Sequence, residues 1–138
     1  MIIKNGLVFT EENKFLPLSV VTEGEKITSL VSGDDVLPAP KEDELVIDAA
    51  GCYVIPGLTD IHFHGCDGYD FCDNSMESVK GIAAFSLKNG VTSICPATMT
   101  MPPETLDGIC KTAADFSSEQ SQKETDREFA DLVGIHME

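Results

Sequence analysis

Positive charge is scarce in this chain: nine Lys plus Arg stand against 24 Asp plus Glu, a formal net charge of −15 over 138 residues. So acidic a balance repels phosphate backbones and anionic membrane surfaces, which argues against nucleic-acid and lipid partners. Long apolar runs are missing as well. No stretch approaches the ~20 residues of a membrane span. Met1-Ile2-Ile3-Lys4-Asn5-Gly6 has neither a basic stretch leading into an apolar run nor a small-residue cleavage site, so no secretory signal is expected. The cysteines (Cys52, Cys66, Cys72, Cys95 and Cys110) are odd in number and form no Cys-x-x-Cys pair. That is the usage of a reducing compartment, where thiols serve mostly as small buried apolar groups, and a cytoplasmic location is the expectation. Internal repeats beyond a βα unit and low-complexity tracts are absent too.

What is present is an ordinary globular composition, 42% hydrophobic and 24% charged, in a chain long enough to bury a core. Residues 1 to about 52 read as brief strands separated by turns. Ile2-Ile3 and Leu7-Val8-Phe9 flank Asn5-Gly6, a hairpin or bulge signal. Leu18 to Thr22 and Lys26 to Val31 flank the turn Glu23-Gly24-Glu25, and Leu45-Val46-Ile47 makes a further strand. Such a series without helical periodicity suggests a small β-sandwich or half of one. From Gly57 the pattern becomes strand, helix, strand, helix, strand. Asn74 with Glu77 is a plausible capping pair for a helix whose apolar face is Met76, Val79, Ile82, Ala83 and Leu87, ended by Asn89-Gly90. Val91 to Cys95 reads as the second strand, and Pro102-Pro103 suits the first turn of a second helix with Leu106, Ile109, Cys110 and Ala113 as its stripe. Ser117 to Glu128 is polar, a solvated helix end or loop, and Ala130 to Glu138 reads as the third strand.

The chemistry concentrates after Pro56-Gly57. Leu58 to His64 reads as a strand whose alternation turns Asp60, His62 and His64 one way and Ile61 and Phe63 the other. Two imidazoles two residues apart on one strand face can reach a single divalent cation at roughly 2.0–2.1 Å. Asp60, one step down the same face, could orient one of them by a hydrogen bond. His-x-His alone also suits two solvated or hydrogen-bonded histidines. A zinc site that adds Cys66 is conceivable, but Gly65 interrupts the alternation, which favours a loop thiol. Asp67, Asp70 and Asp73 lack the spacing of a calcium loop and read as solvated charge.

Asp48-Ala49-Ala50-Gly51 followed by Val54-Ile55-Pro56-Gly57-Leu58-Thr59-Asp60-Ile61-His62-Phe63-His64-Gly65 resembles the entry into the first barrel strand of the amidohydrolase superfamily. The closing Gly134-Ile135-His136-Met137-Glu138 resembles the third-strand segment of its N-acetylglucosamine-6-phosphate deacetylase branch. The resemblance runs through the whole chain but covers only about the first third of such an enzyme. It implies an α/β fold: the N-terminal part of a (β/α)₈ TIM-type barrel, about three strands, over residues 56–138, preceded by a small β-sandwich portion over 1–55. A closed barrel typically needs ~250 residues, so the chain cannot hold one.

Parallel barrel strands end at a common rim, so His62, His64 and Glu138 can face one volume. The resemblance makes these three metal ligands, for Zn²⁺ foremost or Fe²⁺, Co²⁺ or Mn²⁺, one or two ions per subunit, with Glu138 bridging where there are two. It places further histidines and the catalytic aspartate on later strands, so no catalytic group beyond the metal ligands falls within this chain. The implied reaction is hydrolysis of the N-acetyl group of a phosphorylated amino sugar to acetate and the free amine. Asp60 is expected as a partner that orients a ligand or accepts a strand-end hydrogen bond. His136, like Asp60, is a candidate for orienting a ligand from behind, and otherwise reads as a rim histidine bonded to a neighbouring strand rather than as a ligand. The acidic balance requires the phosphate to find its positive charge outside this chain. Other readings are a cyclic-amide hydrolase or deaminase of the same superfamily, and a non-catalytic assembly fragment. A homodimer is expected for the full-length protein, and self-association with no activity for a truncated or nicked piece that stops here.

Overall fold

The computed structural model describes residues 1–33, 35–122 and 128–138, in two compact units, Met1–Pro56 and Gly57–Glu138.

The first unit is one mixed five-stranded sheet. Strands β1 (Ile2–Phe9), β2 (Phe15–Glu23), β3 (Lys26–Ser32) and β4 (Val46–Asp48) lie in the order β3-β2-β1-β4, and β5 (Tyr53–Val54) pairs β1 beyond β4. The Asn5-Gly6 signal resolves as a bulge: β1 stays one strand, its register against β2 shifts between Ile3 and Gly6, and Asn5 takes φ 63°. Glycine is required at that bulge, because a Cβ on Gly6 would lie 2.5 Å from Val54 Cγ2. The β2–β3 hairpin turns through Gly24 at φ 58°. Ile2, Val8, Val20, Val21 and Ala49 are buried. Where a small β-sandwich portion was expected, the described residues form a single sheet.

The second unit alternates strand and helix. Strands β6 (Leu58–Asp60), β9 (Val91–Ile94) and β10 (Asp131–Leu132) form a parallel sheet in the order β10-β9-β6, with helix α1 (Met76–Lys88) between β6 and β9 and α2 (Pro103–Ser121) between β9 and β10. Between β6 and α1 lies a small hairpin, β7 (Gly65–Cys66) with β8 (Tyr69–Asp70), and then a 3-10 turn, Phe71–Asp73. Asp67 and Gly68 carry this hairpin turn at φ 53° and 86°, the double positive φ of a tight Asp-Gly turn. Helix α1 packs on β9 and α2 on β10, and the two helices meet each other. Their shared core is Phe71, Val79, Ile82, Ala83, Ile94, Ile109, Ala113, Phe116, Ala130 and Leu132.

Three sequence expectations are corrected. The first strand ends at Asp60, not His64, because Asp60 Oδ1 accepts the His62 N–H at 3.1 Å and bends the chain out of strand geometry. The third strand is Asp131–Leu132 with an isolated parallel bridge between Ala97 and His136, not a continuous run to Glu138. Ser75, not Asn74, caps α1: its hydroxyl accepts the Ser78 N–H at 3.1 Å, while Asn74 sits in the left-handed region at φ 54°. The polar stretch after α2 was expected from Ser117 to Glu128. Helix α2 runs on to Ser121, and positions 123–127 lie outside the described residues.

Candidate metal centre

The rim beyond the C-terminal ends of β6, β9 and β10 is knit by single hydrogen bonds rather than by a regular ladder. Asp60 O accepts from Cys95 N at 2.8 Å, Phe63 O from Ala97 N at 2.7 Å, Pro96 O from His136 N at 2.9 Å, and His136 O from Thr98 N at 2.9 Å. The Thr98 hydroxyl, on a fully buried residue, then accepts the backbone N–H of Glu138 at 3.4 Å. Three chain segments far apart in sequence are thereby laid side by side, and their side chains converge.

His62, His64 and Glu138 each offer a donor atom, and the three atoms lie within 4.8 Å of one another. Glu138 Oε1 is 3.3 Å from His62 Nε2 and 4.0 Å from His64 Nε2. A tetrahedral ion with bonds of roughly 2.0–2.1 Å requires donors about 3.3–3.4 Å apart, a spacing that the His62–Glu138 pair meets and the His64–Glu138 pair, at 4.0 Å, exceeds. The three side chains remain 47%, 36% and 36% exposed, so the cluster opens to a ligand rather than closing as a core network. His64 Nδ1 is buried without a hydrogen-bond partner among the described residues. Leaving such a nitrogen unpaired costs about 1–3 kcal/mol, and it is commonly the mark of a catalytic or ligand-binding group. Two imidazoles and a carboxylate are a donor set that fits a divalent transition ion, with at least one position left for water or substrate.

The other expected residues sit around this cluster in different ways. Asp60 spends a carboxylate oxygen on the backbone N–H of His62, so its contact fixes the chain bend rather than an imidazole. His136 stands beside His62 with ring centroids 4.6 Å apart at 83°, and His64 flanks His62 at 5.4 Å and 88°. Cys66 is no partner of the histidines. Its thiol points to the Ile82 carbonyl at 3.8 Å, and burial pushes its pKa up. Asp70 and Asp73 accept backbone hydrogen bonds within the loop: Asp70 Oδ1 from the Cys72 N–H at 2.7 Å, and Asp73 Oδ2 from the Asp70 N–H at 3.0 Å. Thr98 was missed by sequence reasoning. Its only signal was a hydroxyl residue just past the second strand, and its role depends on a partner 40 residues away.

Strand–helix repeats that bring imidazole and carboxylate donors together past the C-terminal ends of parallel strands place them where barrel enzymes carry their active sites. More particularly, in sequence and fold the whole chain corresponds to the N-terminal third of N-acetylglucosamine-6-phosphate deacetylases. It is 24% identical over 135 residues to the deacetylase of Haemophilus influenzae, covering 97% of this chain and 32% of that protein. The crystal structure of the Pasteurella multocida deacetylase superposes with a TM-score of 0.78 at 23% identity, over 99% of this chain and 33% of that one, a likeness of fold. An allantoinase of Enterococcus faecalis is 36% identical over 108 residues, covering 78% of this chain and 22% of that protein. No family model matches the chain.

Proposed function

We propose that this chain supplies the metal-binding N-terminal portion of a hydrolase that removes the N-acetyl group of N-acetylglucosamine 6-phosphate, giving acetate and glucosamine 6-phosphate in amino-sugar catabolism. The observation that carries the reading is the convergence of the His62, His64 and Glu138 donors within 4.8 Å. It occurs in a chain that aligns over its whole length, 138 residues, with a third of the Lysinibacillus sphaericus deacetylase. A divalent cation, Zn²⁺ foremost with Fe²⁺, Co²⁺ or Mn²⁺ as alternatives and one or two per subunit, would lower the pKa of bound water and polarise the acetyl carbonyl.

The residues of this chain bind and position. His62 and His64 supply neutral nitrogen donors, and Glu138 supplies the negative charge that favours a cation over a neutral ligand. Asp60 holds the bend that brings His62 off the strand end, and Thr98 holds the Glu138 backbone. No side chain near the cluster is assigned to carry the proton to the leaving amine, and the phosphate needs positive charge from elsewhere. The chain by itself therefore releases no acetate. The five free thiols suit a cytoplasmic setting. A homodimer is part of the same proposal for the full-length protein.

Acetate release and elemental analysis on the full gene product and on its His62→Ala/His64→Ala variant test this. The expected result is loss of most bound metal and of turnover; equal metal and equal turnover overturn the reading. The allantoinase likeness favours one second reading, a cyclic-amide hydrolase. Allantoin and dihydroorotate in the same assay distinguish it, because ring opening without acetate release would replace the deacetylase assignment.

A further inference from the structure

We propose that His136 is a positioning residue for His62, acting through the packing of its ring and not through a nitrogen. This rests on the metal reading of the cluster and adds to it the device that keeps the most exposed ligand in place. His62 lies beyond the end of β6 on a bent segment, and its side chain is 47% exposed. An imidazole so placed is free to leave the rotamer that faces Glu138, and each departure empties the site of one donor.

Two perpendicular rings oppose that. His64 is itself a donor, whereas His136 is not among the three residues whose donor atoms converge. His136 stands closer to His62, at 4.6 Å and 83°, a favourable edge-to-face separation for two π systems. Its own backbone is pinned on both sides, since its N–H donates to Pro96 O at 2.9 Å and its carbonyl accepts from Thr98 N at 2.9 Å. The bridge between Ala97 and His136 therefore sets a rigid wall against which the His62 ring rests. The same short segment carries Glu138 two residues on, so one bridge fixes the carboxylate and steadies the imidazole it must meet.

The test is Co²⁺ titration, followed by the visible absorption of the bound ion and by competition with a chelator, on the wild-type protein, His62→Ala, His136→Ala and His136→Phe. Residues that orient metal ligands are typically worth ~10–100-fold in metal affinity. The expectation is about tenfold weaker binding in His136→Ala, with a changed absorption band, at unaltered far-ultraviolet circular dichroism. His136→Phe, which keeps a ring and has no nitrogen, should bind within about threefold of wild type. Unchanged affinity in His136→Ala overturns the proposal. So does His136→Phe binding as weakly as the alanine variant while folding like wild type, because the nitrogen would then be what matters. Should His136→Ala unfold, His136→Leu, which fills the space without a π face, takes its place and is judged by the same criteria. A wild-type protein that takes up no Co²⁺, or a His62→Ala variant that binds as wild type does, fails the metal reading itself, and the positioning role falls with it.

Discussion

At the scale of the residue, small atoms decide where large ones go. Gly81 in α1 faces the Tyr69 ring of the β7–β8 hairpin, and a Cβ there would come 2.5 Å from Tyr69 Cδ2. Alanine gains ~1 kcal/mol of helix propensity over glycine. Forcing a half-buried ring aside costs about 1–3 kcal/mol, so the contact outweighs the propensity. Gly81→Ala is expected to lower stability by ~1 kcal/mol in urea unfolding, and an equal or higher midpoint would show that the ring moves freely. The sequence offered Gly81 only as a glycine inside a helical pattern; nothing local indicates that an aromatic ring from another element needs the space. The imidazole pair was legible for a different reason. His-x-His after an apolar strand is a local pattern, whereas Thr98 and the edge-to-face His62–His136 contact join residues 40 or more positions apart and leave no local trace.

At the scale of the element, the start of α1 shows how two good capping residues in a row are resolved. Asn74 and Ser75 have comparable intrinsic capping ability, so local preference does not separate them. Asn74 is taken by a tertiary contact: its Oδ1 accepts the Thr112 hydroxyl at 3.0 Å, and Gly108 on α2 leaves room for it. Ser75 then caps the helix, and Ser78 donates to Asp73 Oδ2 at 2.7 Å. The Ser78 hydroxyl, followed by the Asp70 N–H, holds the Asp73 carboxyl below its ordinary range. A carboxylate whose folded pKa is depressed contributes stability above its unfolded value of about 3.9 and loses it as the pH falls through the folded one. Asp73→Asn should therefore lower the thermal midpoint at neutral pH, and the gap to wild type should close in strongly acidic buffer. A gap constant across that range would mean that the charge of Asp73 plays no part in holding the helix start. The sheet elements beside it were legible in kind but overextended in length. Alternating apolar residues continue past Asp60 and Leu132, while the chain leaves strand geometry after both.

At the scale of the whole molecule, exposed apolar surface competes with charge. In the first unit Ile27, Leu30 and Phe15 are exposed, and Ile3, Phe9, Ile27, Leu30, Val54 and Ile55 line an open groove of about 790 Å³. Strand β3 closes one side of that sheet with no further strand paired to it among the described residues. An apolar edge of this kind associates with other chains. The net charge of −15 opposes self-association by a repulsion that salt screens. The chain is expected to elute in size-exclusion chromatography as more than one copy, increasingly so at high salt. A single copy at every salt concentration would contradict this. The sequence by itself determined the order of the longer strands and of both helices, the two compositional halves, the turn at Gly24 and the presence of an imidazole pair, because each is written in residues close together along the chain. Only the tertiary structure decided that Glu138 meets that pair, that Asp60 bends the chain instead of steering a ring, and that His136 lies against His62. Those outcomes follow from hydrogen bonds and packing between distant segments, whose energies exist only once the chain has closed on itself.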